Sequence, residues 1–247
     1  MSRAARAASQ GQLTVSFPST WGGARRNAGR KPSARTNVRH RTRPTQRSSH
    51  PLHVTLRSRL APLRSQFLFP SVRLALTRAA RRDPDRFRIV HYSVQRDHLH
   101  LVVEAADKRA LSSGIQSLAI RIARYVNDLL RRRGALWADR FHSRALTSPR
   151  AVRNAIVYVL ANFRKHARRR VRPGIDPYSS AASFDGWREW QPHLGTPPPF
   201  AEPPVPCESS ANDSQNADSP SFSARTWLLR SGWRMHSPLS LRETPAG

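Results

Sequence analysis

The chain has 247 residues and carries 43 Lys and Arg against 15 Asp and Glu, a formal net charge of +28. This excess of positive charge favours polyanionic partners, nucleic acid above all. The single cysteine, Cys207, excludes an internal disulfide and a cysteine-type zinc site. Neither an apolar run of the ~18 residues that cross a bilayer nor a secretory signal is present. We therefore expect no membrane partner and a cytoplasmic, nucleoid-associated protein.

Composition divides the chain into four parts. Residues 1–48 are rich in Arg, Ser, Gly, Thr and Pro, with too little apolar surface to offset the entropy of ordering. They are predicted to form a disordered basic arm. Residues 49–194 are expected to hold the folded domain with a C-terminal extension. A Pro/Ser-rich linker follows over 195–225, and a short aromatic tail segment is expected over 226–247.

The hydrophobic periodicity of the domain predicts alternating strands and helices. In chain order these are a strand, a helix, two strands that form a hairpin, a helix, a strand and a helix. This order is typical of an α+β fold, a ferredoxin-like (RRM-like) antiparallel sheet with packed helices. The expected positions are 53–57, 66–80, 88–95, 98–104, 108–132, 137–146 and 149–168.

Two of the helices carry clear boundary signals. Gly134 is expected to end the long helix over 108–132. Ser148 followed by Pro149 is typical of an N-cap and a first helical residue. The long helix also carries an apolar stripe at helical spacing. Its members are Leu111, Ile115, Leu118, Ile122, Tyr125, Val126 and Leu129.

Two histidines stand on one face of the predicted strand over 98–104. Because alternate side chains of a strand share a face, His98 and His100 point the same way, and Leu99 and Leu101 point into the core. Two imidazoles on one face can converge on one metal ion. Histidines that serve only packing and hydrogen bonding are also common, so the spacing by itself leaves both interpretations open.

Tyr158 stands apart from the other tyrosines of the chain. At 100° per residue, it lies opposite the apolar stripe of its helix, and Asn162, four residues on, shares its face. It is therefore the best candidate nucleophile, the alternative being an exposed tyrosine that contacts solvent or phosphate. The apolar stripe consists of Val152, Ile156, Leu160 and Phe163.

These residue types suit one chemistry. An un-ionised tyrosine hydroxyl is a weak nucleophile at neutral pH, and a divalent ion can polarise and orient a phosphate for it. Two imidazoles and one amide oxygen leave open positions for phosphate oxygens, and Asn162 is placed to supply that amide. The pattern favours metal-assisted attack of a tyrosine on a nucleic-acid phosphate.

The motifs resemble those of the single-strand DNA transposases with one catalytic tyrosine and a His-hydrophobic-His (HUH) motif, in particular the REP-associated tyrosine transposases. The resemblance implies that His98 and His100 bind a divalent metal, Mg²⁺ or Mn²⁺, that Tyr158 is the nucleophile, and that Asn162 completes the coordination. Relatives often have asparagine where this chain has Asp97. The segments that carry the resemblance, within about residues 51–170, are 53–57, 97–103, 136–142 and 158–162.

The resemblance further implies an endonuclease and strand transferase that cuts and rejoins single-stranded DNA through a 5′-phosphotyrosine intermediate. Its partner would be single-stranded or hairpin DNA, and the protein would act as a monomer or homodimer. Two alternatives stay open. One is a non-catalytic, domesticated or decayed DNA- or RNA-binding protein on the same fold, and the other is a basic structural protein in which the histidine pair only packs.

Basic residues beside these motifs are predicted to contact DNA. The arginines over 168–170 also fit a structural interpretation, because cations in a last helical turn favour the helix dipole. His142 is expected to be a surface residue of a strand, and Asp139 and Glu104 are minor candidates for further metal oxygens. The predicted DNA-binding residues are Arg140, Lys165, Arg168, Arg169 and Arg170.

Overall fold

The computed structural model of the chain describes residues 45–59, 62–165, 174–189 and 220–245. The arm predicted over 1–48 and the linker predicted over 195–225 lie mostly outside the described residues. The described elements are β1 (Leu52–Arg57), α1 (Phe69–Ala80), β2 (Phe87–Val94), β3 (His98–Ala105), α2 (Lys108–Leu129), β4 (His142–Ala145), α3 (Pro149–Lys165), a 3₁₀ turn (Ser180–Ser183), α4 (Trp227–Arg230) and a second 3₁₀ turn (Gly232–Met235).

The four strands form one sheet in the order β2-β3-β1-β4, with every neighbouring pair antiparallel. Strand β1 is central because β3 pairs on one side of it and β4 on the other. This order, with α1 between β1 and β2 and α2 between β3 and β4, is the ferredoxin-like arrangement. The predicted α+β fold and the β2–β3 hairpin are therefore confirmed.

One face of the sheet is covered by α1 and α2. The alternate residues Val54, Leu99 and Leu101 are completely buried there, together with apolar side chains of both helices. Most of the predicted stripe of α2 lies in this core. The buried members are Leu111, Ile115, Leu118, Ile122 and Val126.

The opposite face of the sheet is covered by α3, and residues 220–245 complete this layer. Apolar side chains of α3 share a second core with Trp187, Leu229 and Trp233. Polar contacts hold the C-terminal residues in place. Buried Glu104, at the end of β3, accepts hydrogen bonds from the backbone N–H groups of residues 225 and 226, so its carboxylate anchors this segment.

The long helix ends earlier than predicted. Its last residue is Leu129, and the chain turns at Arg131, whose φ is 47°. A non-glycine residue therefore takes a left-handed conformation at the helix end, and Gly134, with a φ of 104°, lies three residues beyond it. Leu129, placed on the buried stripe by its spacing, is 37% exposed because the core ends one turn before it.

The strand predicted over 137–146 is shorter in the structure. Only His142–Ala145 pairs with β1. Trp137 forms an isolated bridge with Ser58, and its indole N–H donates to the carbonyl of Ala119 in α2. The tryptophan thus ties the connection to the helical layer and leaves a short edge strand. Among the described residues, no helix is long and apolar enough to cross a membrane.

Candidate active site

The two predicted metal-binding histidines lie on the α3 side of the sheet, at the start of β3. Alternation along the strand sends Leu99 and Leu101 to the apolar core and His98 and His100 to the opposite face. His100 is 3% exposed, whereas the side chain of His98 is 32% exposed. Their ring centroids are 5.5 Å apart. One imidazole is thus enclosed and the other borders solvent.

Each histidine has a partner at Nδ1. Nδ1 of His98 contacts a carboxylate oxygen of Asp97, and Nδ1 of His100 lies 3.2 Å from Oγ1 of Thr55 on the neighbouring strand. Either partner orients its ring. The carboxylate of Asp97 can only accept from His98, which favours the tautomer whose lone pair is on Nε2, as in histidines that bind metals.

Tyr158 lies against this pair. Helix α3 begins after Ser148, whose hydroxyl accepts from the N–H of Ala151 at 3.2 Å, as predicted for its N-cap. Two turns further, the ring of Tyr158 meets the ring of His100 edge-on, with centroids 5.2 Å apart and an interplanar angle of 85°. The predicted nucleophile and a predicted metal ligand are therefore neighbours within a single chain.

Asn162 is completely buried, and neither its amide oxygen nor its amide nitrogen has a hydrogen-bond partner among the described residues. A buried amide without partners costs roughly 1–3 kcal/mol, so the position carries a cost that packing does not explain. One helical turn separates it from Tyr158, which places it on the same face of α3. A buried amide oxygen without a described partner, on the helix face that carries Tyr158, is a ligand type that divalent cations accept.

Of the three proposed metal ligands, only the imidazoles of His98 and His100 are of the side-chain types that most often bind metals; the third is the amide of Asn162. In the described part of the chain, no cluster of three or more His, Cys, Asp or Glu side chains could hold an ion. Glu104 anchors the C-terminal segment, and Asp139 accepts from the backbone N–H of Arg140. Neither minor candidate joins the histidine pair, so a bound ion would keep positions for ligands from the substrate.

A third histidine, His53, belongs to this site and was missed by the sequence analysis. Its ring lies 5.4 Å from that of His100 and 5.4 Å from that of Tyr158. Burial, followed by the charges of His142 and Arg144, lowers the pKa of His53 to about 4, so this imidazole is neutral at neutral pH. His53 joins the site because β1 places it opposite Val102 of β3. This could be predicted only if the pairing of the two strands were known.

The stripe of α3 that carries Tyr158 and Asn162 faces the sheet and not the solvent. Tyr158 is half-buried and Asn162 fully buried, while Val157 and Val159 are also buried on other sides of the helix. The reason is that histidines line this part of the sheet and the C-terminal segment provides apolar cover. Polar residues of α3 therefore meet polar residues of the sheet.

The predicted DNA-binding residues are only partly described. Arg140 is exposed, in the segment before β4. Lys165 is the last residue of α3, and its side chain lies outside the described residues. Residues 168–170, with their three arginines, also lie outside them. The roles of all five stay predictions.

Part of the chain matches the sequence model of a known protein family. Residues 68–159 match the family model described as "Transposase IS200 like". This segment includes His98, His100 and Tyr158 and ends before Asn162. No curated protein sequence matches the chain.

Among solved structures, the chain is similar to a REP-associated tyrosine transposase bound to a REP hairpin. The sequences are 20% identical, the TM-score is 0.46, and the similarity covers 58% of this chain and 82% of the other. Residues 68–159 are thus similar in sequence to the IS200-like transposases.

Proposed function

We propose that this protein is a metal-dependent transposase that cuts and rejoins single-stranded DNA with Tyr158 as its nucleophile. The observation that carries the proposal is the edge-on contact of Tyr158 with His100. The amide of Asn162, one helical turn from Tyr158 and without a partner among the described residues, supports it. The match of residues 68–159 to the model of IS200-like transposases supports it. The net charge of +28 supports a nucleic-acid partner.

In the proposed reaction, Oη of Tyr158 attacks the phosphorus of a phosphodiester. A tyrosine–phosphate bond forms on the 5′ side, and the bond from phosphorus to the 3′ oxygen breaks. The phenol loses one proton and the departing 3′ oxygen gains one, which leaves a 3′-hydroxyl. Attack of a 3′-hydroxyl on the phosphotyrosine reverses these changes and joins strands, so no nucleotide cofactor is needed.

His98, His100 and Asn162 would hold a divalent metal, Mg²⁺ or Mn²⁺. Such an ion supplies charge stabilisation to the phosphate when it is bound. The protein contributes orientation: Asp97 and Thr55 fix the two imidazoles, and the ring contact with His100 fixes Tyr158. The neutral His53 contacts both the ring of Tyr158 and the ring of His100 without adding a competing positive charge.

The tyrosine is proposed to act on the histidines of its own chain. The C-terminal segment supports this, because it holds α3 from outside. Arg153 forms a two-pronged ion pair with Glu243, at 2.8 and 3.0 Å, and Arg164 donates to the backbone carbonyl of Glu243 at 2.9 Å. With α3 tied in this way, a monomer would carry all the proposed site residues.

A covalent-adduct assay tests the proposal. Wild-type protein, Tyr158→Phe and His98→Ala are incubated with hairpin-flanked single-stranded DNA in Mg²⁺, Mn²⁺ or EDTA, and denaturing gels detect protein–DNA adducts. We expect an adduct only with the wild type and only with a metal. Tyr125→Phe is the matched control, since that tyrosine lies on α2 across the sheet, and it should form the adduct normally.

The alternatives give different results. Metal-independent binding of DNA or RNA without any adduct would identify a non-catalytic binding protein on the same fold. An adduct that survives Tyr158→Phe would reject the assigned nucleophile. No binding of metal or nucleic acid would favour a basic structural protein.

A further inference from the structure

Strand β4 extends the face of the sheet that carries the candidate site. Its register with β1 places Arg144 opposite His53 and His142 opposite Thr55. Directly opposite residues of an antiparallel pair point to the same face, with Cβ atoms roughly 4.5–5.5 Å apart. Arg144 and His142 therefore stand on the same face as Tyr158, at the open edge of the sheet.

The side chain of Arg144 is exposed and makes no hydrogen bond or ion pair with any described residue. Two other arginines are paired instead, Arg64 with buried Asp176 and Arg153 with Glu243. The register opposite His53 places this cation on the face of the sheet that carries the site. Its charge is not neutralised by any described acidic side chain.

We propose that Arg144 binds a backbone phosphate of the DNA strand that lies across β4 towards Tyr158. The proposal rests on the proposed function, whose substrate it positions. A guanidinium presents a planar pair of donors that matches two phosphate oxygens. From its position opposite His53, the guanidinium of Arg144 would hold the DNA strand at the edge of the sheet. The next phosphate of that DNA strand could then reach Tyr158. Arg144 is therefore a binding and positioning residue.

The test measures DNA binding separately from cleavage. Tyr158→Phe serves as the parent protein, and variants Arg144→Gln, Arg144→Lys and Arg124→Gln are built on it. Fluorescence anisotropy follows a labelled, hairpin-flanked single-stranded oligonucleotide over a series of salt concentrations. Arg124 is the matched control, because it is an exposed arginine without a described partner on α2, across the sheet.

We expect Arg144→Gln to weaken binding about 5- to 10-fold at low salt and to reduce the salt slope by ~0.7, the loss of one contact to a single strand. Arg144→Lys should keep the slope, because it keeps the charge. Arg124→Gln should change the affinity by less than about twofold, because a charge across the sheet makes no strand contact. Should Arg144→Gln melt below its parent, Arg144→Met, which keeps the apolar stem, takes its place.

Identical salt curves for Arg144→Gln and Arg124→Gln would overturn the inference. The adduct assay with otherwise wild-type protein separates this failure from failure of the proposed function. An adduct without an Arg144 effect refutes the phosphate contact and leaves the nuclease. An Arg144 effect without any wild-type adduct supports the contact and refutes the nuclease.

Discussion

The two faces of the sheet differ sharply although the same strands build both. On the side of α1 and α2, β1 and β3 contribute only apolar residues, such as Val54, Leu99 and Leu101, all completely buried. On the side of α3, the alternate positions of these strands are His53 and His100, which meet Tyr158. One residue of offset along a strand separates the apolar core from the candidate site.

The difference between the two faces explains how the protein remains folded although its candidate site is destabilising. A buried amide without partners and a cluster of imidazoles cost stability. The dense core across the sheet offsets that cost, because burial of large apolar side chains contributes roughly 1.5–3 kcal/mol each. Substitutions on the two faces should therefore affect different properties.

The largest expected effect is the difference between substitutions of His100 and Leu101, which are adjacent in β3 but lie on opposite faces of the sheet. Leu101→Ala should lower the free energy of unfolding by about 2–5 kcal/mol, because it leaves a cavity in the core. His100→Ala should lower it by only about 1 kcal/mol, since it loses one hydrogen bond to Thr55, yet it should abolish the adduct. Urea denaturation and the adduct assay measure both. Equal losses of stability would show that the two faces are not separated in this way.

A substitution of Asn162 is expected to have a smaller effect, and to raise stability instead of lowering it. Asn162→Leu should raise the free energy of unfolding by about 1 kcal/mol, because it removes a buried amide that has no described partner. It should also remove metal-dependent adduct formation. Asn162→Asp keeps an oxygen donor and should retain the adduct in Mn²⁺. If Asn162→Leu protein still forms the adduct, the third ligand lies elsewhere.

At neutral pH, the smallest expected effect is that of His91, on the α3 side of the sheet, and it grows only as the pH falls. Burial lowers the pKa of His91 to about 4, from an ordinary value of 6.5. The unfolded chain therefore binds a proton between these values that the folded protein does not bind. The contribution of His91 to the free energy of unfolding is fully present above pH 6.5 and is lost as the pH falls towards 4.

His91→Gln isolates this contribution. Urea unfolding at several pH values should show a shallower loss of stability on acidification for the variant than for the wild type. The same slope in both proteins would assign the acid sensitivity to other groups. Leu101→Ala, on the apolar face, is the control, because it should lower stability equally at every pH.

Much of the fold could be predicted from local pattern. Strand periodicity in 98–104 placed His98 and His100 on one face, and Ser148 with Pro149 marked the start of α3. The end of α2 could not be predicted in this way. Gly134 was the local signal, but the helix ends where its contact with the core ends, and Arg131 makes the turn.

The site was only partly predictable for a related reason. Tyr158 and Asn162 are conspicuous by their spacing on one helix. His53 and Arg144 are not, because they become neighbours only when β1 pairs with β4. Glu104, a minor candidate for a metal oxygen, instead binds backbone N–H groups more than a hundred residues away, a contact that no local pattern contains.

The sequence by itself determined the alternation of strands and helices, the pair His98 and His100, and the tyrosine helix, because periodicity acts within a few residues. Only the tertiary structure decided that α3 turns its polar stripe towards the sheet, that His53 joins the site and that Arg144 stands at its edge. These arrangements depend on strand order and on which layer covers each face. Both are set by packing between segments far apart in the chain.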